Sequence, residues 1–222
     1  MSKRVGVLLS GCGVFDGSEI HEAVSILIAL DRHGAQVVCL APDIPQMHVI
    51  DHVRKQPDGS TRNVLVESAR IARGSIRRLS DVSASELDAI VLPGGFGAAK
   101  NLCDFATKAD ACTVHPQVEK LLRAMHDAGK PIGLACIAPV IAAKLFGNAS
   151  PKPKLTIGND ASTASVVEKM GATHVPADET GVVVDPRHKL VTTPCYMHHV
   201  GPWTVFQGAS KMVDEVMKLM GT

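Results

Sequence analysis

Apolar positions along the chain form short runs that alternate with helical stripes. Val5 to Leu9 is apolar apart from Gly6 and leads into Ser10, Gly11 and Gly13, which predicts a buried central strand followed by a glycine loop. From Ser18 to His33 the positions Ile20, Ala23, Val24, Leu27 and Ile28 fall at helical spacing, with Ser18 placed to cap and Gly34 just past the end. Gln36 to Ala41 reads as a second strand. The unit recurs where Leu87 to Leu92 runs into Pro93, Gly94, Gly95 and a helix, and where a helix from Pro116 to Ala128 stops at Gly129 before a strand at Ile132 to Ala135. Strands alternating with helices imply a mostly parallel sheet.

Pro42 to Gly59 is polar and ends in Pro57, Asp58 and Gly59, which predicts an irregular excursion or hairpin. Gly181 to Val184 and Lys189 to Thr193 read as two strands around a turn, and Thr204 to Met220 as a closing helix. No repeat or long linker divides the chain, so residues 1–222 are expected to form one three-layer α/β domain.

Composition narrows the function. The 222 residues are 45% hydrophobic and 20% charged with a formal charge of +1, so no field draws in a polyanion and nucleic acid is not expected as a partner. With five Phe, one Tyr and one Trp, the core must come from aliphatic side chains, as in parallel sheets. The uncharged stretch from Pro131 to Ala143 is too short to cross a membrane. The start resembles neither a secretory nor a transit segment, so a cytoplasmic protein is expected. Six cysteines without a C-x-x-C pair suggest free thiols.

Pro131-Ile132-Gly133-Leu134-Ala135-Cys136-Ile137-Ala138-Pro139 has the form of a nucleophile elbow, an apolar strand running into a small-residue turn with one nucleophile and a helix behind it. Such a turn exposes Cys136 at a helix N-terminus and offers the Ile137 N–H to an oxyanion. Taken alone, the segment reads equally well as a small buried hydrophobe at a strand end. Pro93-Gly94-Gly95-Phe96-Gly97 follows another strand, and Gly95 N–H is the candidate second donor. A phosphate loop is absent, and Gly11-Cys12-Gly13 continues to Asp16 where a dinucleotide fingerprint needs glycine, so neither ATP nor NAD is expected.

Ser10-Gly11-Cys12-Gly13-Val14, Asp16-Gly17-Ser18-Glu19-Ile20-His21-Glu22 and Pro93-Gly94-Gly95-Phe96-Gly97-Ala98-Ala99-Lys100-Asn101-Leu102 resemble the ElbB family, glyoxalase-like proteins of the ThiJ/PfpI superfamily related to class I glutamine amidotransferases. The resemblance runs from about residue 4 to the terminal helix. It implies a flavodoxin-like α/β sandwich, a carboxylic acid partner for the elbow cysteine at Glu22 with Glu19 as its competitor, a lowered thiol pKa, no cofactor, and a homodimer. It also points loosely to isoprenoid metabolism.

The chain departs from its wider relatives as well. Tyr196-Met197-His198-His199-Val200-Gly201 lacks the Glu two residues after His that a glutaminase uses, and Gly158 stands where many ThiJ/PfpI relatives place a histidine near the cysteine. A Cys136–Glu22 pair is therefore expected rather than a Cys–His dyad.

Other signals carry less. His48 and His52 have i, i+4 spacing but no third ligand, so no metal is expected. His198 and His199 read as surface or subunit-contact residues, His115 as a helix-capping or solvent residue, and Cys12 as a buried structural thiol near the pocket rim. Arg70, Arg73, Arg77 and Arg78, flanked by Glu67 and Asp81, read as a solvated face.

Together these readings predict a glutathione-independent glyoxalase of low activity that converts methylglyoxal or glyoxal to lactate or glycolate. Cys136 would form a hemithioacetal, Glu22 would shuttle the proton, and the Gly95 and Ile137 amides would hold the oxyanion. A deglycase using the same pair, or a redox-sensing or binding protein without turnover, are the alternatives.

Overall fold

The computed structural model describes residues 2–221. Strand β1 (Arg4–Leu8) is followed by a glycine loop and helix α1 (Ile20–Arg32), then β2 (Gln36–Ala41). The excursion that follows holds a short hairpin, β3 (Ile50–Asp51) and β4 (Gln56–Pro57), and leads to α2 (Val64–Ile71) and β5 (Arg77–Arg78). Next come β6 (Ala89–Leu92), α3 (Phe96–Lys100), α4 (Phe105–Lys108), α5 (Pro116–Asp127) and β7 (Ile132–Ala135). The chain ends with α6 (Pro139–Phe146), β8 (Lys154–Leu155), α7 (Ala161–Lys169), β9 (Thr173–His174), β10 (Val183–Asp185), β11 (Leu190–Thr193) and α8 (Pro202–Leu219).

Seven strands form the central sheet in the order β10-β11-β7-β6-β1-β2-β5, parallel throughout except for the edge strand β10. This is the flavodoxin-like α/β architecture. Val5 and Val7 of β1 face one apolar cluster, with Ile26 and Leu30 of α1 and Met212 and Val216 of α8. Leu8 faces the other, with Leu122 and Met125 of α5 and Ile141 of α6. Two cores on opposite faces of one sheet make the three layers. The order reverses at β1, which has β2 on one side and β6 on the other, and such a reversal opens a crevice beyond the carboxyl ends of the strands.

Two local expectations are corrected, and the solvated arginine face gains a short strand. Ser18 does not cap α1: its Oγ takes the Ser10 N–H at 2.9 Å, and Glu19 caps instead, accepting the Glu22 N–H at 2.7 Å. Arg77 and Arg78 belong to a short edge strand on β2, where charged residues suit an open edge, and they pair with Glu86 and Asp43. Leu87 and Asp88 precede β6, because a turn at 84–86 with a Ser83/Glu86 capping box delays the strand.

Among the described residues no helix is long and apolar enough to cross a membrane, and no group of three or more His, Cys, Asp or Glu could hold a metal ion. His52 sits in the hairpin, bonded to the Ile50 carbonyl and the Phe15 N–H. His115 stands at the N-cap of α5 without a capping hydrogen bond from its side chain.

Candidate functional site

Four chain reversals meet beyond the carboxyl ends of β1, β6, β7 and β11. Cys136 follows β7 directly, with φ +59, and its N–H extends the sheet by donating to the Thr193 carbonyl at 2.9 Å. A left-handed backbone is uncommon for a non-glycine residue, and here it turns the chain from strand to helix in one step. Pro139 begins α6 with its fixed φ and no N–H to satisfy. The elbow expected from the sequence is present.

The Gly95 and Ile137 amides and the carboxyl of Glu22 all lie close enough to the thiol to act on its protonation. The four site residues expected from the sequence are therefore in contact around one sulfur atom. Glu22 reaches it from the first turn of α1 and is fully buried, with Oε2 taking the Gly94 N–H at 2.8 Å and Oε1 the Tyr196 N–H at 3.3 Å. The last donor was invisible in the sequence, because it depends on β11 lying beside β7.

Glycine at 94 and 95 is dictated by space. A Cβ on Gly94 would stand 2.4 Å from the Cys136 Cβ and 2.8 Å from Glu22 Oε2. Gly95 has φ +87, and a Cβ there would meet the Gly17 carbonyl and the Glu19 nitrogen at 2.4 Å. Three backbone bonds lace this loop to the loop after β1: Glu19 N–H to Gly94 carbonyl at 3.0 Å, Phe96 to Val14 at 2.7 Å, and Gly97 to Gly17 at 2.9 Å.

Burial, reinforced by the charge of Glu19, raises the Glu22 carboxyl from 4.5 to about 8, against the opposing Gly94 and Cys136 bonds. Burial also pushes the Cys136 thiol well above its ordinary value, and the carboxylate of Glu22 adds to the rise. The lowered thiol pKa expected from a charge-assisted bond is thus corrected: loss of solvent outweighs the two amide donors. At neutral pH the pair holds both protons, and the first to leave belongs to the pair as a unit.

A cavity of about 510 Å³ opens onto Cys136. Phe96, Phe105 and Ile137 form an apolar wall, and Glu19, Asp160 and Tyr196 supply polar groups, with no lysine, arginine or histidine in the lining. Glu22 lies behind the thiol. At the mouth, Tyr196 Oη and His21 Nδ1 are 2.7 Å apart.

Gly158 has φ +88, and a Cβ on it would lie 2.9 Å from His198 Nε2, so no side chain at 158 fits the present packing. His198 is half-buried and bonded to the Ala177 carbonyl at 3.0 Å, which corrects its reading as a surface residue, whereas His199 is exposed. Cys12 is half-buried rather than buried, and burial followed by the charge of Glu67 raises its thiol.

Comparison with known proteins places this geometry. The model of the DJ-1/PfpI family matches residues 12–194. The chain is 48% identical to the human "Glutamine amidotransferase-like class 1 domain-containing protein 3, mitochondrial" over 98% of this chain and 84% of that protein. A crystal structure of an "isoprenoid biosynthesis protein with amidotransferase-like domain" from Ehrlichia chaffeensis superposes with a TM-score of 0.92 at 37% identity, covering 98% of this chain and 99% of that one. Glyoxalase III of Candida albicans shares the fold at a TM-score of 0.62 and 18% identity, covering 98% and 97% of the two chains. The human, rat and zebrafish relatives are all named as mitochondrial proteins, which overturns the cytoplasmic placement expected from the sequence.

Proposed function

The chain belongs to the DJ-1/PfpI family, and we propose that within it the protein is a glutathione-independent glyoxalase of the ElbB branch, acting slowly on methylglyoxal or glyoxal. The observation that carries this reading is the contact between the elbow thiol of Cys136, the Gly95 and Ile137 amides and the buried carboxyl of Glu22. The name of the Candida albicans structure supports the same chemistry on this fold. The Pro93 to Leu102 and Gly11 to Glu22 motifs, which both build the site, support the branch.

When one proton has left the pair, the sulfur attacks the aldehyde carbon and the new oxyanion takes the proton held by Glu22. The Gly95 and Ile137 amides, which donate to the sulfur at rest, hold that oxygen as charge builds. Glu22, now a carboxylate, removes the hydrogen from C1 and returns it to C2 through an enediol. C1 is oxidised to a thioester while C2 is reduced to an alcohol, and water releases lactate and the thiol. The reaction balances as methylglyoxal plus water, with no cofactor required.

An apolar wall and a lining free of cationic side chains suit a small uncharged dicarbonyl. Self-association into a homodimer is part of the proposal, since Ile20, Val24 and Ile28 form an exposed apolar stripe along α1 that a second copy would cover. Chiral analysis of product from the native protein and from Cys136→Ala tests the reading: lactate formation lost in the variant supports it, and equal rates overturn it.

A further inference from the structure

Cys195 is a second thiol at this site, and no step above uses it. It is fully buried just beyond β11, in the same apolar cluster as Cys136. The register places the two on adjacent chain exits. Ala135 faces Thr193 across the parallel ladder, and the Cys136 N–H donates to the Thr193 carbonyl, so the chain leaves β7 at Cys136 and β11 at Pro194 and Cys195 side by side. Neighbouring strands lie about 4.8 Å apart, which is the spacing of Cys136 from Pro194, and Cys195 follows Pro194 directly at the start of a turn; a disulfide spans roughly 4.4–6.8 Å between Cα atoms.

Glu22 bridges the two exits, lying against the Cys136 thiol and accepting the N–H of Tyr196, which follows Cys195. Both cysteines have a left-handed backbone, φ +59 and +46, so each stands at a sharp turn rather than in the regular alternation of its strand. Ionised Glu22 and Cys136 also act on Cys195 electrostatically, each raising its thiol further than burial alone. The neighbouring Cys103 and Cys112 lie in the core on the opposite face of the sheet.

We propose that Cys195 is a resolving thiol for Cys136, closing a Cys136–Cys195 disulfide after a hydroperoxide has oxidised Cys136. The Cys136 thiolate attacks the distal peroxide oxygen, the O–O bond breaks with release of water or an alcohol, and the sulfur becomes a sulfenic acid. The Cys195 sulfur then attacks the Cys136 sulfur, and the hydroxyl leaves as water with the proton from Cys195. Two electrons have passed from the two thiols to the peroxide, and a dithiol reductant restores both. The disulfide withholds Cys136 from further oxidation to a sulfinic acid. The inference needs a peroxide-reactive Cys136 but no turnover of a dicarbonyl.

Exposing the full chain to hydrogen peroxide, alkylating free thiols on unfolding and mapping peptides without reduction tests the proposal. The expected result is one crosslinked pair containing Cys136 and Cys195, lighter by two hydrogens and reversed by dithiothreitol. In Cys195→Ser and Cys195→Ala, Cys136 should instead acquire two oxygens that dithiothreitol does not remove. The native measurement stands even where a variant folds poorly. A native chain that carries the same two-oxygen adduct with Cys195 still alkylated, or a crosslink between Cys103 and Cys112 in its place, overturns the proposal.

Discussion

The carboxyl of Glu22, fully buried, stands against the nearly buried thiol of Cys136, one from the first turn of α1 and the other from the turn after β7. Glu22 is shut off from water and Cys136 meets it only through the cavity, so each sets the charge state available to the other.

Alkylation of Cys136 by iodoacetamide should therefore follow the first proton lost from the pair, with a midpoint near the value of about 8 carried by Glu22. Glu22→Gln removes that proton site and leaves a thiol raised by burial, so the midpoint should move above 9.0, the ordinary thiol value. Rates measured from pH 6 to 10, an interval of about two units on either side of the midpoint, check this. A midpoint unmoved by the substitution would show that the two groups titrate independently.

The same raised carboxyl makes the fold pH-sensitive. Between 4.5 and about 8 the folded chain keeps a proton on Glu22 that the unfolded chain has released, so stability falls as pH rises through this window. The full shift corresponds to an upper bound of ~5 kcal/mol, at about 1.4 kcal/mol per pKa unit. Urea unfolding at either end of the window should show the native protein losing several kcal/mol relative to Glu22→Gln. Parallel behaviour of the two proteins would contradict the burial argument.

Gly94→Ala should damage the site more than its size suggests. The new methyl would stand 2.4 Å from the Cys136 Cβ and 2.8 Å from Glu22 Oε2, with the backbone carbonyl of Ala135 at 3.0 Å closing the remaining side. A loss of about 1–3 kcal/mol in unfolding free energy is expected, together with altered Cys136 alkylation. Unchanged alkylation at full stability would mean that the loop relaxes.

Substrate charge is set by the lining. With no lysine or arginine facing the cavity and Glu19 and Asp160 on its wall, uncharged oxoaldehydes should be consumed in preference to 2-oxo acids bearing a carboxylate. Competition between methylglyoxal and glyoxylate, read as relative kcat/KM, decides this, and a preference for the anion would require a cation that the cavity lacks.

Much of the sheet and of the candidate site was legible because each rests on local signals. Short apolar runs leading into glycine loops marked β1 and β6, the run after Gly129 marked β7, and a cysteine between Ala135 and Ile137 marked the elbow. Glu22 came from the resemblance of its motif, since a helix carboxylate carries no local sign of the thiol it meets. What remained hidden depends on neighbours distant in sequence. The Tyr196 N–H and the Cys195 thiol join the site only because β11 inserts beside β7, ahead of the edge strand β10. The direction of the thiol shift was misread because it follows from the degree of burial, which residue types alone do not fix. The short strand β5 was missed because two arginines satisfy an edge without any apolar pattern.

The backbone bond from Cys136 to Thr193 makes Cys136 the last rung of the ladder between β7 and β11. Its amide is thus sealed against exchange with solvent for as long as that seam stays shut, while the side chain on the same residue faces an open cavity. Opening the seam would shift the sulfur relative to the Gly95 amide, which is anchored on a different strand, before any other part of the molecule had to unfold. Slow deuterium uptake at the amide of Cys136 would consequently report, at a single position, that the two loops are still aligned.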